Sequence, residues 1–248
     1  MEKRTIISLV AATLLLAASA TAQSLTDQVA AELAANGITF DTASQADIDA
    51  ATEAVFDAAI RDQLALSGLD PATATDEQIA AAAAAIVVNN PTLSDGAVAA
   101  LTTAVVRSRP AAAAVITRTV VTQRPTAAVA ITRAAVAANP TQVNQIAAAA
   151  SQAAIAAGQS SAVGSITANA VAVANANGVG TTVNDVATAV ATTTGLSVAD
   201  VADQASNSVI VADNAVQELI DQNETEADLV IDEAVVEVPT DNLVVSPV

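Results

Sequence analysis

The sequence predicts an all-α protein: an array of short Ala/Val-rich helices broken by prolines, stacked like an α-solenoid in units of about 15–20 residues and ending in a partly disordered acidic C-terminal tail. Three observations carry that prediction. A proline-led unit recurs, as P-A-A-A-A-V-I-T-R from Pro110, P-T-A-A-V-A-I-T-R from Pro125 and P-T-Q-V-N-Q-I-A-A from Pro140. Alanine-dense stretches with strong helix propensity fill the units. Finally, charge falls into three blocks, acidic, basic and acidic.

The repeat puts Pro110, Pro125 and Pro140 in register, with Ile116, Ile131 and Ile146 and with Arg118 and Arg133. The first two copies agree at 7 of 15 positions. A continuous helix does not accommodate this period: four turns take about 14.4 residues, so the isoleucine would drift roughly 60° around the axis per copy. Proline also removes a backbone donor and pushes the residue before it out of the helical region. Each unit therefore reads as a helix of roughly 11 to 12 residues with proline in its first turn, followed by a tight turn. Longer relatives run from Pro71 to Pro91 and from Pro91 to Pro110. The β-branched run Thr117 to Thr122 would suit a strand by itself, but it alternates poorly and is flanked by poly-alanine, so helix is preferred.

Lys3 and Arg4 precede an uncharged apolar run from Thr5 to Ala20, and Ala20-Thr21-Ala22 offers small residues at the signal-peptidase positions. The expectation is a signal peptide over residues 1–22, cut between Ala22 and Gln23, and hence a secreted or periplasmic protein with no transmembrane span after cleavage. Loss of that segment removes Glu2, Lys3 and Arg4, leaving 25 acids against 6 arginines and a net charge of −19. Such a balance argues against nucleic acid as a partner.

Four segments follow. Residues 23–96 form an acidic N-terminal helical segment with 12 acids and one base, Arg61; residues 97–184 hold Ala-rich helical repeats with five arginines and no acid. Residues 185–221 carry acidic C-terminal helices and residues 222–248 the acidic tail, together with 13 acids and no base. In the first segment Ser24-x-x-Asp27, Ser44-x-x-Asp47 and Thr75-x-x-Gln78 resemble capping boxes, and Asn36-Gly37 and Gly68 are helix stops. The helix after Ser44 is expected to turn Ile48, Ala51, Val55, Ala58, Ala59 and Gln63 inward. Further short helices are expected over 171–176, closed by Asn177-Gly178, and over 183–192, 197–206 and 209–220.

Composition removes most catalytic chemistry. Without histidine or cysteine, and with no lysine beyond Lys3, neither Ser-His-Asp nor Cys-His nor Schiff-base sites can form, and zinc and haem lose their usual ligands. Gly178-x-Gly180 lacks the rest of a phosphate-binding loop. Phe40-Asp41-Thr42-Ala43 reads as a helix lead-in, and the acids from Asp221 to Glu233 do not fit a calcium loop. No catalytic residue, metal site or cofactor is expected.

The candidate binding residues are Arg107, Arg109, Arg118, Arg124 and Arg133. Stacking of consecutive units would set Arg118 and Arg133, and likewise Arg109 and Arg124, in two rows roughly 10 Å apart. The favoured expectation is that the acidic first segment or the protein's own acidic tail compensates them in cis. The other is that they hold an anionic polysaccharide or lipid head groups. The sequence thus points to an exported, non-enzymatic structural or interaction protein. Alternatives are a membrane-surface or anionic-polymer-associating helical protein, or a self-assembling matrix or filament subunit.

Overall fold

The computed structural model describes residues 25–208. The expected signal peptide, the helix over 209–220 and the tail over 222–248 lie outside these residues. Among the described residues the fold is all-helical, with ten α-helices and no strand: α1 Leu25–Ala35, α2 Gln45–Leu66, α3 Asp76–Asn89, α4 Asp95–Ser108, α5 Ala113–Gln123, α6 Ala128–Ala138, α7 Val143–Ala156, α8 Ala162–Ala176, α9 Val183–Thr194, and α10 over 198–208.

Each 15-residue unit is closed without a loop. In the copy from Pro110, a three-residue 3-10 turn (Pro110–Ala112) runs into the 11 residues of α5, and Arg124 alone separates α5 from the next 3-10 turn, Pro125–Ala127. Arg109, Arg124 and Asn139 share one backbone shape, with φ from −133° to −143° and ψ from 70° to 77°. That shape is what a following proline imposes, because the proline ring clashes with a helical predecessor. The Thr117 to Thr122 run lies within α5, so the surrounding helix decides its conformation over its β propensity.

The repeat extends well beyond Pro110 to Gln159. Its inward face holds positions i, i+3, i+4, i+7 and i+8, which a 3.6-residue period places on one side. In α5 these are Ala113, Ile116, Thr117, Val120 and Val121; in α4 they are Val98, Leu101, Thr102, Val105 and Val106; all ten are fully buried or within 1% of it. The same pattern returns as Ile79, Ala82, Ala83, Ile86 and Val87 in α3 and as Val163, Ile166, Thr167, Ala170 and Val171 in α8, all buried. Segments from Pro71 and Pro91 are longer because extra residues form turns capped by Thr75 and Ser94, while the packing face is unchanged.

Threonine at the i+4 position is a regular component of this core. Thr102, Thr117 and Thr132 are completely buried. Each donates Oγ1–H to the carbonyl four residues back, Val98 at 2.8 Å, Ala113 at 2.7 Å and Ala128 at 2.7 Å. The hydroxyl is satisfied inside its own helix, so it enters the apolar interior without the cost of an unpaired donor.

Beyond α2, each helix packs most extensively on the helix two further along. The series α3, α5, α7, α9 forms one layer and α2, α4, α6, α8 the other. Consecutive helices touch less, across the bend at each turn. Alanine and valine at the contacts let axes approach closely, and at Gly164 of α8 the approach leaves no room for a side chain. A Cβ there would stand 2.5 Å from the carbonyl oxygen of Gln204 on α10. The core between the layers is one cluster running from Phe56 to Val201 with no side chain larger than Ile beyond Leu101.

The N-terminal end is built differently. Helix α2 is 22 residues long and serves two cores. Its first half joins Ala51, with Ile48 and Val55 alongside, to Val29 and Leu33 of α1 in a small separate cluster. Its second half sends Phe56, Ile60 and Leu64 into the main core. The single inward face expected for this helix is therefore replaced by two: Ala58 and Gln63 are only half-buried, while Phe56, Ile60 and Leu64 carry the packing. The capping boxes at Ser44/Asp47 and Thr75/Gln78 form, Phe40–Thr42 is a 3-10 lead-in to α2, and Gly178 ends α8 at φ +82°.

Candidate interaction surface

The five candidate arginines follow from their positions in the unit. Arg107 lies in the last turn of α4 and Arg109 caps it; Arg118 sits mid-way along α5 and Arg124 caps it; Arg133 sits mid-way along α6. Because layers are made of alternate units, Arg118 and Arg133 belong to different layers, and so do the α4 and α5 ends that carry Arg109 and Arg124. The stacking of consecutive units on which the two expected rows rest is replaced by stacking of alternate units.

Two of the five are compensated by the acidic N-terminal segment. Arg107 Nη1 lies 3.1 Å from Glu53 Oε2 of α2, both groups being partly exposed, a pair worth about 0–1 kcal/mol. Arg124 is held more firmly, with its side chain only 23% exposed. Its Nη2 donates to the carbonyls of Pro91 and Leu93, each at 3.1 Å, and its Nη1 stands 3.8 Å from Asp95 Oδ1. A guanidinium suits this place because its planar fork serves two carbonyls and a carboxylate at once. Arg124 is thus a brace between the end of α5 and the turn that leads into α4.

Asn139 takes the same place one unit later. It follows α6 as Arg124 follows α5, and its Nδ2 donates to the carbonyl of Pro110 at 2.8 Å. Arg124 and Asn139, each preceding a proline, therefore tie their own turns to the proline carbonyl of the turn two units back. Sequence reasoning missed Asn139 because it registered the loss of charge from Arg109 and Arg124; the shared property is an N–H donor, which register alone could have suggested.

Arg118 and Arg133 are exposed, Arg109 is half-buried, and none of the three forms an ion pair among the described residues. The remaining base among the described residues, Arg61, pairs with Asp57 one turn earlier at 3.8 Å. Partial burial pushes the Asp57 carboxyl above its ordinary value, against the pull of Arg61 and with help from Glu53. Among the described residues no three His, Cys, Asp or Glu side chains come together as metal ligands, and no helix is long and apolar enough to cross a membrane. No protein-family model, curated protein or solved structure matches this chain.

Proposed function

We propose that this is an exported, non-enzymatic interaction protein in which a two-layer helical stack serves as a scaffold for surface contacts. The observation that supports this reading most directly is the division of labour within the unit. Five positions per helix are spent on a core of small side chains, and the outward positions are left to vary between units, as in repeat proteins that bind through an extended surface. Anionic polymers are the partner class that Arg109, Arg118 and Arg133 would serve, because these charges lack the acids that already engage Arg107 and Arg124.

The test compares two sets of substitutions in the exported protein. Arg109→Ser, Arg118→Ser and Arg133→Ser together should abolish salt-sensitive binding to an acidic polysaccharide such as alginate, while Arg107→Ser should leave it near the parent level. Equal binding by both variants, or none by the parent, would remove the anionic partner. Retention of the full chain in the cytoplasm with residues 1–22 uncut would remove export.

A further inference from the structure

Past α7 the unit lengthens from 15 residues to 20, and the extra length between α8 and α9 forms the loop over 177–182, whose Val179 packs against the core. Asn175 fixes this loop by reciprocal bonds, accepting from Thr181 N at 2.9 Å and donating to the Thr181 carbonyl at 3.0 Å. Between the loop, the start of α7 and the start of α9 lies an open groove of about 420 Å³, within the range of ~300–1,000 Å³ common for small-molecule sites.

The groove displays acceptors. Thr141 and Thr188 line it, but their hydroxyl hydrogens are directed elsewhere, to Asn139 Oδ1 and to the Asn184 carbonyl, each bond leaving oxygen lone pairs free. Asp185 contributes a carboxylate whose Oδ2 accepts from Thr182 N and Thr182 Oγ1 at 3.0 and 2.6 Å; Oδ1 has no such bond among the described residues. Those two bonds hold the carboxyl below its ordinary pKa, so the charge persists to acid pH.

Asn144 is the second, independent feature. The in-register residues of the two preceding units are Ala114 and Val129, so at this groove an amide takes the place of a small apolar side chain. Its Oδ1 is enclosed and has no donor, which costs about 1–3 kcal/mol unless a partner is supplied. The terminal torsion of asparagine is soft, so a donor seated on the groove floor can reach this oxygen by a turn of the amide.

We infer that this groove binds a sugar through its hydroxyl or amine hydrogens. An acceptor-lined recess with one carboxylate and no basic group selects ligands rich in O–H and N–H and rejects anions. Val179, half-buried at the edge of the groove, gives the ring's C–H face a small apolar contact. With no aromatic residue among those lining it, binding is weak, in the millimolar range.

Amide chemical-shift titration of the full exported chain with glucosamine, glucose and glucuronate tests this. The expected result is saturable shifts confined to residues 141–144 and 179–188, strongest for glucosamine, weaker for glucose and least for glucuronate. Gly180→Leu is the control variant, since a Cβ at Gly180 meets no atom within 4 Å and the larger side chain fills open space rather than disturbing the fold. It should retain the parent's circular dichroism and lose the shifts. Absence of saturable shifts with all three sugars overturns the inference, as do shifts spread over other helices or retained in Gly180→Leu.

Discussion

Asn139 donates from Nδ2 to the carbonyl of Pro110 at 2.8 Å, across 29 residues of chain and two repeat units. Arg124 makes the corresponding contact with Pro91 at 3.1 Å, one unit earlier. These braces join turns in the same layer, where the chain leaves one helix and bends into the next. Asn139→Ala removes two neutral bonds at a partly exposed site, the one to the Pro110 carbonyl and the one from Thr141 Oγ1, and should cost about 1–2 kcal/mol; Arg124→Ala removes two bonds from a charged donor and should cost about 2 kcal/mol. Urea denaturation checks both, and Arg124→Lys should recover only part of the loss because an ammonium lacks the fork.

Gly164→Ala tests the close approach of α8 and α10. The added methyl would stand 2.5 Å from the Gln204 carbonyl oxygen, 2.6 Å from its carbon and 2.8 Å from its Cβ. Backbone cannot swing aside as a side-chain end can, so α10 must shift. The expected loss is about 1–3 kcal/mol, with hydrogen exchange accelerating first in residues 198–208. A variant as stable as the parent, or one with uniformly raised exchange, would show that α10 is not held by this contact.

Two buried hydroxyls are unlike the rest. Ser151 and Thr167 are completely buried, and neither oxygen has a hydrogen-bond partner, whereas Thr102, Thr117 and Thr132 each satisfy theirs within the helix. Replacing an unpaired buried hydroxyl by an apolar group of similar shape removes a desolvation cost. Ser151→Ala and Thr167→Val should each raise stability by about 1 kcal/mol, while Thr117→Val should change it little. Thermal unfolding midpoints of the three variants decide the matter.

Acid should release the caps of α2 and α9. In each, an aspartate three residues after the cap accepts from the cap's backbone N–H and hydroxyl: Asp47 from Ser44 and Asp185 from Thr182. Those bonds depress both carboxyl pKa values. A folded-state pKa below the unfolded one gives stability that is present above the ordinary aspartate range and lost as pH falls through the depressed value. Asp57, raised chiefly by burial, has the opposite sign and favours the folded state more as it protonates. Asp47→Asn with Asp185→Asn should therefore narrow its deficit against the parent as pH drops from neutral toward strongly acid, measured by urea midpoints; a deficit independent of pH would exclude the caps as its source.

How much of this fold the sequence disclosed depended on whether the cause was local. Capping at Ser44 and Thr75, the bend at each proline and the burial of Ile116, Ile131 and Ile146 follow from residues within one turn of each other, and all were legible. Helix α8 was shortened to its second half because Gly164 lowers propensity and Ser161 makes no side-chain cap; packing against neighbouring helices supplies what local signals lack. The alternation of layers was not legible, since it rests on the angle between successive helices rather than on residue type. The arginines were found as residues but not as an arrangement, for the same reason: Arg118 and Arg133 share a sequence position and occupy different layers. The groove beside Asn144 arises where the longer connection between α8 and α9 meets the start of α7, which no periodicity records.

The absence of a spare residue in the 15-residue unit limits how this protein can change length. Three residues of 3-10 turn, 11 of helix and one of bend account for the whole unit from Pro110 to Arg124, so nothing within it can take up an insertion. One added residue would rotate every downstream inward position by about 100° and turn the buried isoleucine toward solvent. Within the repeats, growth of the stack is therefore confined to whole units, or to junctions where the chain already leaves the helix, such as those before α3 and α4 and after α7 and α8, and duplication rather than extension is the change the 15-residue unit accepts.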